Sequence, residues 1–269
     1  MRAQVLDNAA HTLVMGVLNV TPDSFSDGGR HAEAGAAAAR GLEMVAEGAD
    51  LVDVGGESTR PGAAPVGAEE ELRRVIPVVR DLAAAGVLVS IDTRKAEVAA
   101  AALGAGAVAV NDISALGDPA MAGVVAGAGA GLVLLHMQGN PATMQDDPRY
   151  ADVVGEVRGF LYDAARRAEE AGMPREAIAV DPGIGFGKSV QHSLALLKHT
   201  ADLASCGYPL LIGVSRKSLF EKLLGLSADE RLEAGIAAAV ACVLRGARIV
   251  RTHDVRPTVR ALRTAEALL

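Results

Sequence analysis

Eight short apolar runs punctuate the chain: Leu13 to Val20, Leu51 to Val54, Val87 to Ile91, Ala107 to Val110, Leu132 to Leu135, Ile178 to Val180, Leu210 to Val214 and Arg248 to Val250. They are near-continuous in Val, Ile and Leu rather than alternating with polar residues, which is the pattern of strands covered on both faces. Alanine-rich segments lie between them with helical spacing, as at Val153, Val157, Phe160, Leu161 and Ala164. Asp118 before Pro119 predicts an N-cap followed by proline at the first helical position. Ser227 with Glu230 predicts a capping box for a helix running to about Gly246. The uncharged stretch from Pro119 to Leu135 is broken by glycines and falls short of a membrane span, so it reads as a buried helix followed by a strand.

Eight βα units in 269 residues, with no linker or low-complexity insert, predict a single-domain (β/α)8 TIM barrel over residues 1–269. Such a barrel needs roughly 250 residues. An open doubly wound sheet is the alternative, and it differs in closure, which periodicity does not reveal. The segment from Ser218 to Leu224 predicts a small extra helix after the seventh strand, where such barrels often bind phosphate.

Nearly all the unusual polar residues follow the C-terminal ends of these strands. They include Asn19 to Gly29 after the first, Gly55 to Gly62 after the second, Asp92 to Lys95 after the third and Asn111-Asp112 after the fourth. His136 to Gly139, Asp181 to Lys188, Ser215 to Ser218 and Arg251 to Asp254 follow the other four. In a barrel these loops converge on one mouth, the usual place for an active site. Each set also has a plain structural reading: Asp92 as a helix cap, Asn111 closing a turn, His136 as a satisfied core histidine, and Arg60, Arg94 and Arg216 as solvated charges.

Composition narrows the partners. A net charge of −7 argues against general nucleic-acid or membrane-surface binding, so an anionic ligand requires a local basic cluster. Cys206 and Cys242 stand far apart with no CxxC or Cys/His pairing, which fits neither a disulfide framework nor a zinc site and favours a reducing compartment. Met1 to His11 lacks the apolar core of a signal peptide, and a soluble cytoplasmic protein is expected.

Val180-Asp181-Pro182-Gly183-Ile184-Gly185-Phe186-Gly187-Lys188 is the densest candidate stretch. Gly187-Lys188-Ser189 imitates the end of a phosphate-binding P-loop, but Pro182 occupies the place of its first glycine. A dinucleotide fingerprint fails because Lys188 stands where the third glycine belongs.

The joint pattern carries more chemistry. Asp92, Asn111 and Asp181 end three strands with short acceptors, while Lys217, Arg251 and His253 supply donors from two others. Two carboxylates and an amide carbonyl can read the N–H groups of a heterocycle such as a pterin. Arg251 and His253 alternate and share a face, and with Ser218 at a helix start they predict a phosphate cradle. Asn19 can add a neutral oxygen to a magnesium ion held mainly by diphosphate. The pattern points to loss of diphosphate.

The motifs Met15 to Gly29, Asp53 to Gly62, Ile91-Asp92-Thr93, Asn111 to Ser114, His136 to Gly139, Asp181 to Lys188, Gly213 to Ser218 and Arg251 to Asp254 resemble, in order and over almost the whole chain, those of the dihydropteroate synthase family. That resemblance implies condensation of 7,8-dihydropterin-6-ylmethyl diphosphate with 4-aminobenzoate, giving dihydropteroate and diphosphate with magnesium, in a homodimeric enzyme of folate biosynthesis that is a sulfonamide target. It implies that Asp92, Asn111, Asp181 and Lys217 hold the pterin, with Met137 and Phe186 lining its pocket. Arg251, His253, Thr59 and Asn19 would engage the diphosphate and its metal. Phe25, Thr59, Arg60, Pro61 and Ser218 would shape the aminobenzoate pocket and its loops. Diphosphate would leave early, producing a pterin cation that the aryl amine attacks, with Asp92, Lys217, Arg251 and His253 as the catalytic set.

Ser193, Thr252 and Ala234-Gly235 depart from the family pattern, and only Thr252 adjoins a proposed contact. Three other readings share parts of the pattern. A methyltetrahydrofolate-binding module of corrinoid-dependent methyl transfer would share the acceptors but needs no diphosphate cradle. A non-catalytic pterin-binding paralogue would not need the intact loops after strands one and two. A sugar-phosphate barrel enzyme would be expected to show a Schiff-base lysine or a paired acid and base.

Overall fold

The computed structural model describes residues 5–7, 10–21, 29–58 and 62–268. Eight parallel strands form one sheet: β1 (Leu13–Asn19), β2 (Leu51–Gly55), β3 (Val89–Asp92), β4 (Ala109–Asp112), β5 (Gly131–Leu135), β6 (Ile178–Asp181), β7 (Leu211–Gly213) and β8 (Ile249–Thr252). The order is β6-β5-β4-β3-β2-β1-β8-β7. Closure comes at the two ends of that order, where Val180 bridges Leu210 in parallel and its N–H reaches the Pro209 carbonyl at 2.9 Å. The expected barrel is therefore formed, and the open sheet is excluded.

The outer layer comprises α1 (Gly29–Ala46), α2 (Ala68–Ala84), α3 (Ala96–Gly104), α4 (Met121–Ala128), α5 (Val153–Glu170), α6 (Val190–Lys198), α7 (Thr200–Ala204), α8 (Leu219–Leu224), α9 (Leu232–Val243) and α10 (Val255–Glu266). Along α5 the spaced Val153, Val157, Leu161 and Ala164 turn inward as expected. Phe160 instead stays 37% exposed. Its ring meets His136 edge-on, 4.8 Å between centroids.

Two expected caps are displaced. Asp118 does not cap α4, which begins at Met121; its carboxylate accepts from the Ala120 and Ala96 N–H groups, closing a turn and tying it to the start of α3. The Ser227–Glu230 capping box forms, but around a single 3-10 turn, Ala228–Glu230, and α9 starts afterwards.

The two faces of the strands do different work. Outward residues such as Val52, Val54, Ile91, Val110, Leu132 and Val180 pack against the helices. Inward residues Leu13, Met15, Leu51, Ala109, Val133, Ala179, Leu211 and Ile249 make a smaller core within the barrel, joined by Leu6. Side chains alternate along a strand. Two residues beyond Leu51, Ala109, Ala179 and Ile249, the inward positions hold Asp53, Asn111, Asp181 and Arg251. An apolar floor thus carries a polar layer at the C-terminal mouth.

Candidate active site

Arg251 binds this polar layer together. Its Nε donates to Asp53 Oδ2 and its Nη2 to Asp92 Oδ2, each at 2.7 Å. Asn111 donates its Nδ2 to the same Asp53 oxygen at 2.9 Å. With the amide nitrogen so engaged, Asn111 Oδ1 is buried without a partner, as is Asp53 Oδ1. Buried acceptors left open in this way are uncommon in folded proteins. Gly55 and Gly213, the neighbours of Asp92 and Arg251 in the sheet, keep side chains out of the space over them.

Across the mouth, Asp181 accepts the Gly183 N–H at 2.7 Å. The Lys217 ammonium lies 4.2 Å from the centre of the Phe186 ring. Burial is the main influence on both titrating groups. It pushes Asp181 up to about 6, against the Gly183 hydrogen bond and the charges of Lys217 and Arg251. It draws Lys217 down to about 8, against the attraction of Asp181. Asp92 is likewise pushed up to about 7 by burial, with Arg251 as the principal opposing charge. Arg251 moves upward because Asp53 and Asp92 outweigh its own desolvation. The two-carboxylate clamp on Arg251 favours the ionised form of the pair.

Arg216 has φ of +58°, unusual for a residue with a Cβ. Its guanidinium is held in place by Asp254, at 2.6 and 3.2 Å. This strained turn lies immediately before Lys217. Ser215 Oγ joins the turn to the end of β8, accepting the His253 N–H at 3.2 Å and pairing with its Nδ1 at 3.1 Å. Burial first, then Arg251 and Arg216, pull His253 down to about 4, so at neutral pH it offers a neutral imidazole.

These contacts bring donors and acceptors into one layer. Arg251 lies among the acceptors, and His253 is uncharged at neutral pH. The reason is electrostatic, since a largely desolvated guanidinium is drawn to desolvated carboxylates and a desolvated imidazole sheds its proton. Ser218 is exposed and precedes α8, and its side chain makes no capping bond there. Met137 and Phe186 are half-buried beyond β5 and β6, and Asn19 is half-buried at the end of β1. Phe25, Thr59, Arg60 and Pro61 lie outside the described residues.

Asp53 was not among the candidate site residues, although a carboxylate within the run Leu51 to Val54 is itself a signal, and its position two residues after an inward leucine marks where it points. Arg94 is not a free surface charge: Glu57 accepts from it at 3.1 Å, from Lys95 at 2.8 Å and from the Val66 N–H at 3.0 Å. Lys95 also pairs with the fully buried Glu71, so this network anchors the connection from β2 to α2. His136 proves to be the satisfied core histidine, 7% exposed and in contact with Lys188.

The turn after β6 depends on glycine. Gly183 has φ of +65°, and a Cβ there would run into the His136 carbonyl oxygen. Gly183→Ala combines a left-handed backbone with a backbone clash, an expected loss of about 2–4 kcal/mol. A thermal midpoint within experimental error of wild type would refute this account of the turn.

Among the described residues, no three His, Cys, Asp or Glu side chains gather as a cation site. The donor chemistry suits a divalent ion that arrives with an anionic ligand. Asp53 and Asp92 are committed to Arg251, and Asn19 supplies a neutral oxygen of the kind magnesium accepts beside phosphate oxygens.

The sequence matches the family described as Pterin binding enzyme over residues 15–253. Dihydropteroate synthase of Escherichia coli (strain K12) is 47% identical over 261 residues, which cover 97% of this chain and 93% of the relative. The Yersinia pestis dihydropteroate synthase, solved as a sulfonamide drug complex, has a TM-score of 0.91 at 43% identity and covers 97% of this chain and 96% of its own. The Xanthomonas albilineans dihydropteroate synthase in complex with 7,8-dihydropteroate has a TM-score of 0.87 at 42% identity and covers 97% of this chain and 95% of its own.

Proposed function

The chain belongs to the pterin-binding enzymes, and within them to the dihydropteroate synthases; on that premise we propose that its barrel mouth joins 7,8-dihydropterin-6-ylmethyl diphosphate to 4-aminobenzoate through early loss of diphosphate. The observation that carries the reading is the unpartnered, buried Asn111 Oδ1, set in the same polar layer as Asp92 and Asp181. An acceptor floor of this kind suits a heterocycle whose amino group and ring nitrogens present hydrogens.

Asp92, Asn111 and Asp181 accept from the pterin, Lys217 donates to it, and Phe186 and Met137 wall it in. Arg251 and the neutral His253 donate to the diphosphate, with Thr59 and Asn19 assisting. Phe25, Thr59, Arg60, Pro61 and Ser218 receive the aminobenzoate. Magnesium, held by diphosphate and Asn19, would supply charge neutralisation to the leaving group. No activated side-chain nucleophile is required, because an aryl amine attacks a methylene carbon already losing its bond to oxygen. Asp92 favours positive charge on the pterin, and Arg251 favours the departing anion, so the pair they form in the protein can open toward opposite ends of the reacting bond.

Two copies of the 27.5 kDa chain form the proposed assembly, supported by the family resemblance, and light scattering should give twice that mass. Among the described residues, no helix is long and apolar enough to cross a membrane, which is compatible with the proposed cytoplasmic location.

The direct test mixes protein, dihydropterin diphosphate, aminobenzoate and magnesium and follows diphosphate. Release that depends on aminobenzoate is expected. Its absence from folded protein that binds pterin would end the synthase reading. The titrating groups add a pH signature. The kcat/KM for the pterin substrate should rise as Asp181 and Asp92 ionise, near 6 and 7, and fall as Lys217 loses its proton near 8. A profile flat from about pH 5 to about pH 9 would show that these groups do not govern binding or chemistry.

A further inference from the structure

Lys188 is the cation of the Asp181–Lys188 turn for which the proposed chemistry has no use. It is 3% exposed, beyond the reach of an ordinary surface lysine. Its Nζ donates to the Phe186 carbonyl at 2.9 Å, to the His136 carbonyl at 3.2 Å and to His136 Nδ1 at 2.9 Å. Burial draws Lys188 down to about 7, against the attraction of Asp181, and in its charged form it has three N–H donors for the three acceptors that surround it. His136 can accept because its imidazole is neutral, held by burial and by Lys188 far below its usual range, at about 3.

We propose that Lys188 is a positioning residue, tying the Phe186 carbonyl to the end of β5 and so fixing the aromatic wall against which Lys217 rests. Other contacts secure the flanks of the turn. Gln145 donates to the Gly185 carbonyl at 2.5 Å, and the Tyr150 hydroxyl donates to that of Gly187 at 2.9 Å. The Phe186 N–H bonds the Gly183 carbonyl at 3.0 Å, which curls the turn on itself without joining it to another strand. Lys188 makes that connection. Phe186 then presents its ring to the Lys217 ammonium, 4.2 Å from the ring centre. Lys188 thereby acts on the pterin pocket without touching it.

This inference rests on the pterin reading of the mouth, and the test separates the two. Dihydropterin diphosphate binding to the wild-type protein is measured first, and failure there removes the reading itself. Lys188→Met keeps most of the length and the unbranched shape of the side chain but leaves three acceptors unpaired. Its KM and Kd for the pterin substrate are expected to rise about 10- to 100-fold, while the KM for aminobenzoate stays within about twofold. In a Phe186→Leu background the same substitution should cost less than about threefold, because its route to the pocket is already gone. Lys188→Gln, which retains two N–H donors, provides the same readings if the methionine variant does not fold, with a smaller rise in pterin KM. Unchanged pterin affinity, equal rises for both substrates, or full additivity with Phe186→Leu would overturn the proposal.

Discussion

Asp92→Asn should lower kcat by on the order of 10²–10³-fold while changing the KM for the pterin substrate only a few-fold. Asparagine has nearly the same shape and keeps an oxygen that can accept from a pterin N–H and from Arg251 Nη2, now 2.7 Å from Asp92. Ground-state recognition is therefore largely retained. What disappears is the full negative charge in a low-dielectric site, and that charge matters most when the pterin becomes cationic. Steady-state kinetics at saturating aminobenzoate distinguish the cases. A rise in KM with kcat preserved would show that Asp92 provides uniform binding rather than transition-state stabilisation.

Asp53→Ala is expected to be the most damaging single substitution for stability in the polar layer. Asp53 is fully buried, and its Oδ2 receives both Asn111 and Arg251. Alanine leaves a half-buried guanidinium with one carboxylate partner in place of two, and frees the Asn111 amide to turn. Removing one partner of a buried ion pair typically costs about 3–5 kcal/mol. Denaturant unfolding should show a loss of that size, accompanied by weakened pterin binding because Asn111 Oδ1 is no longer held toward the ligand. A variant within about 1 kcal/mol of wild type would mean that Arg251 depends on Asp92 alone. Asp53→Asn, which retains an acceptor for Asn111, should fall between the two.

The strands were legible in the sequence because they are buried on both faces, yet their edges shifted for local reasons. The runs at Val87 and Ala107 begin two residues before β3 and β4, since the Val87 and Ala107 N–H groups still close the preceding helices by bonding to Leu82 and Ala102. At the other end, Asp92, Asn111-Asp112 and Asp181 continue the ladder beyond the last apolar residue. Polarity hid them as strand residues and revealed them as candidates for the site.

The layer itself was only half legible. Asp92, Asn111, Asp181, Lys217 and Arg251 could be singled out because each follows an apolar run. Which of them pair could not be read, since Arg251 meets Asp53 across 198 positions of sequence and only barrel closure brings them together. The neutral state of the His253 imidazole is equally illegible, because it follows from a burial that no local pattern encodes. The Asp181–Lys188 turn was recognised as special, but its lysine points into the protein rather than toward a phosphate.

The central claim is that the pocket lets diphosphate leave before the amine bonds, so that positive charge accumulates on the pterin methylene. The most direct test is the secondary isotope effect from two deuteriums on that carbon, measured on kcat/KM for the pterin substrate at low aminobenzoate. The account predicts a normal effect clearly above unity, as the carbon flattens ahead of attack. A value at or below unity would show that the amine pushes the diphosphate out in one concerted displacement, and would contradict it.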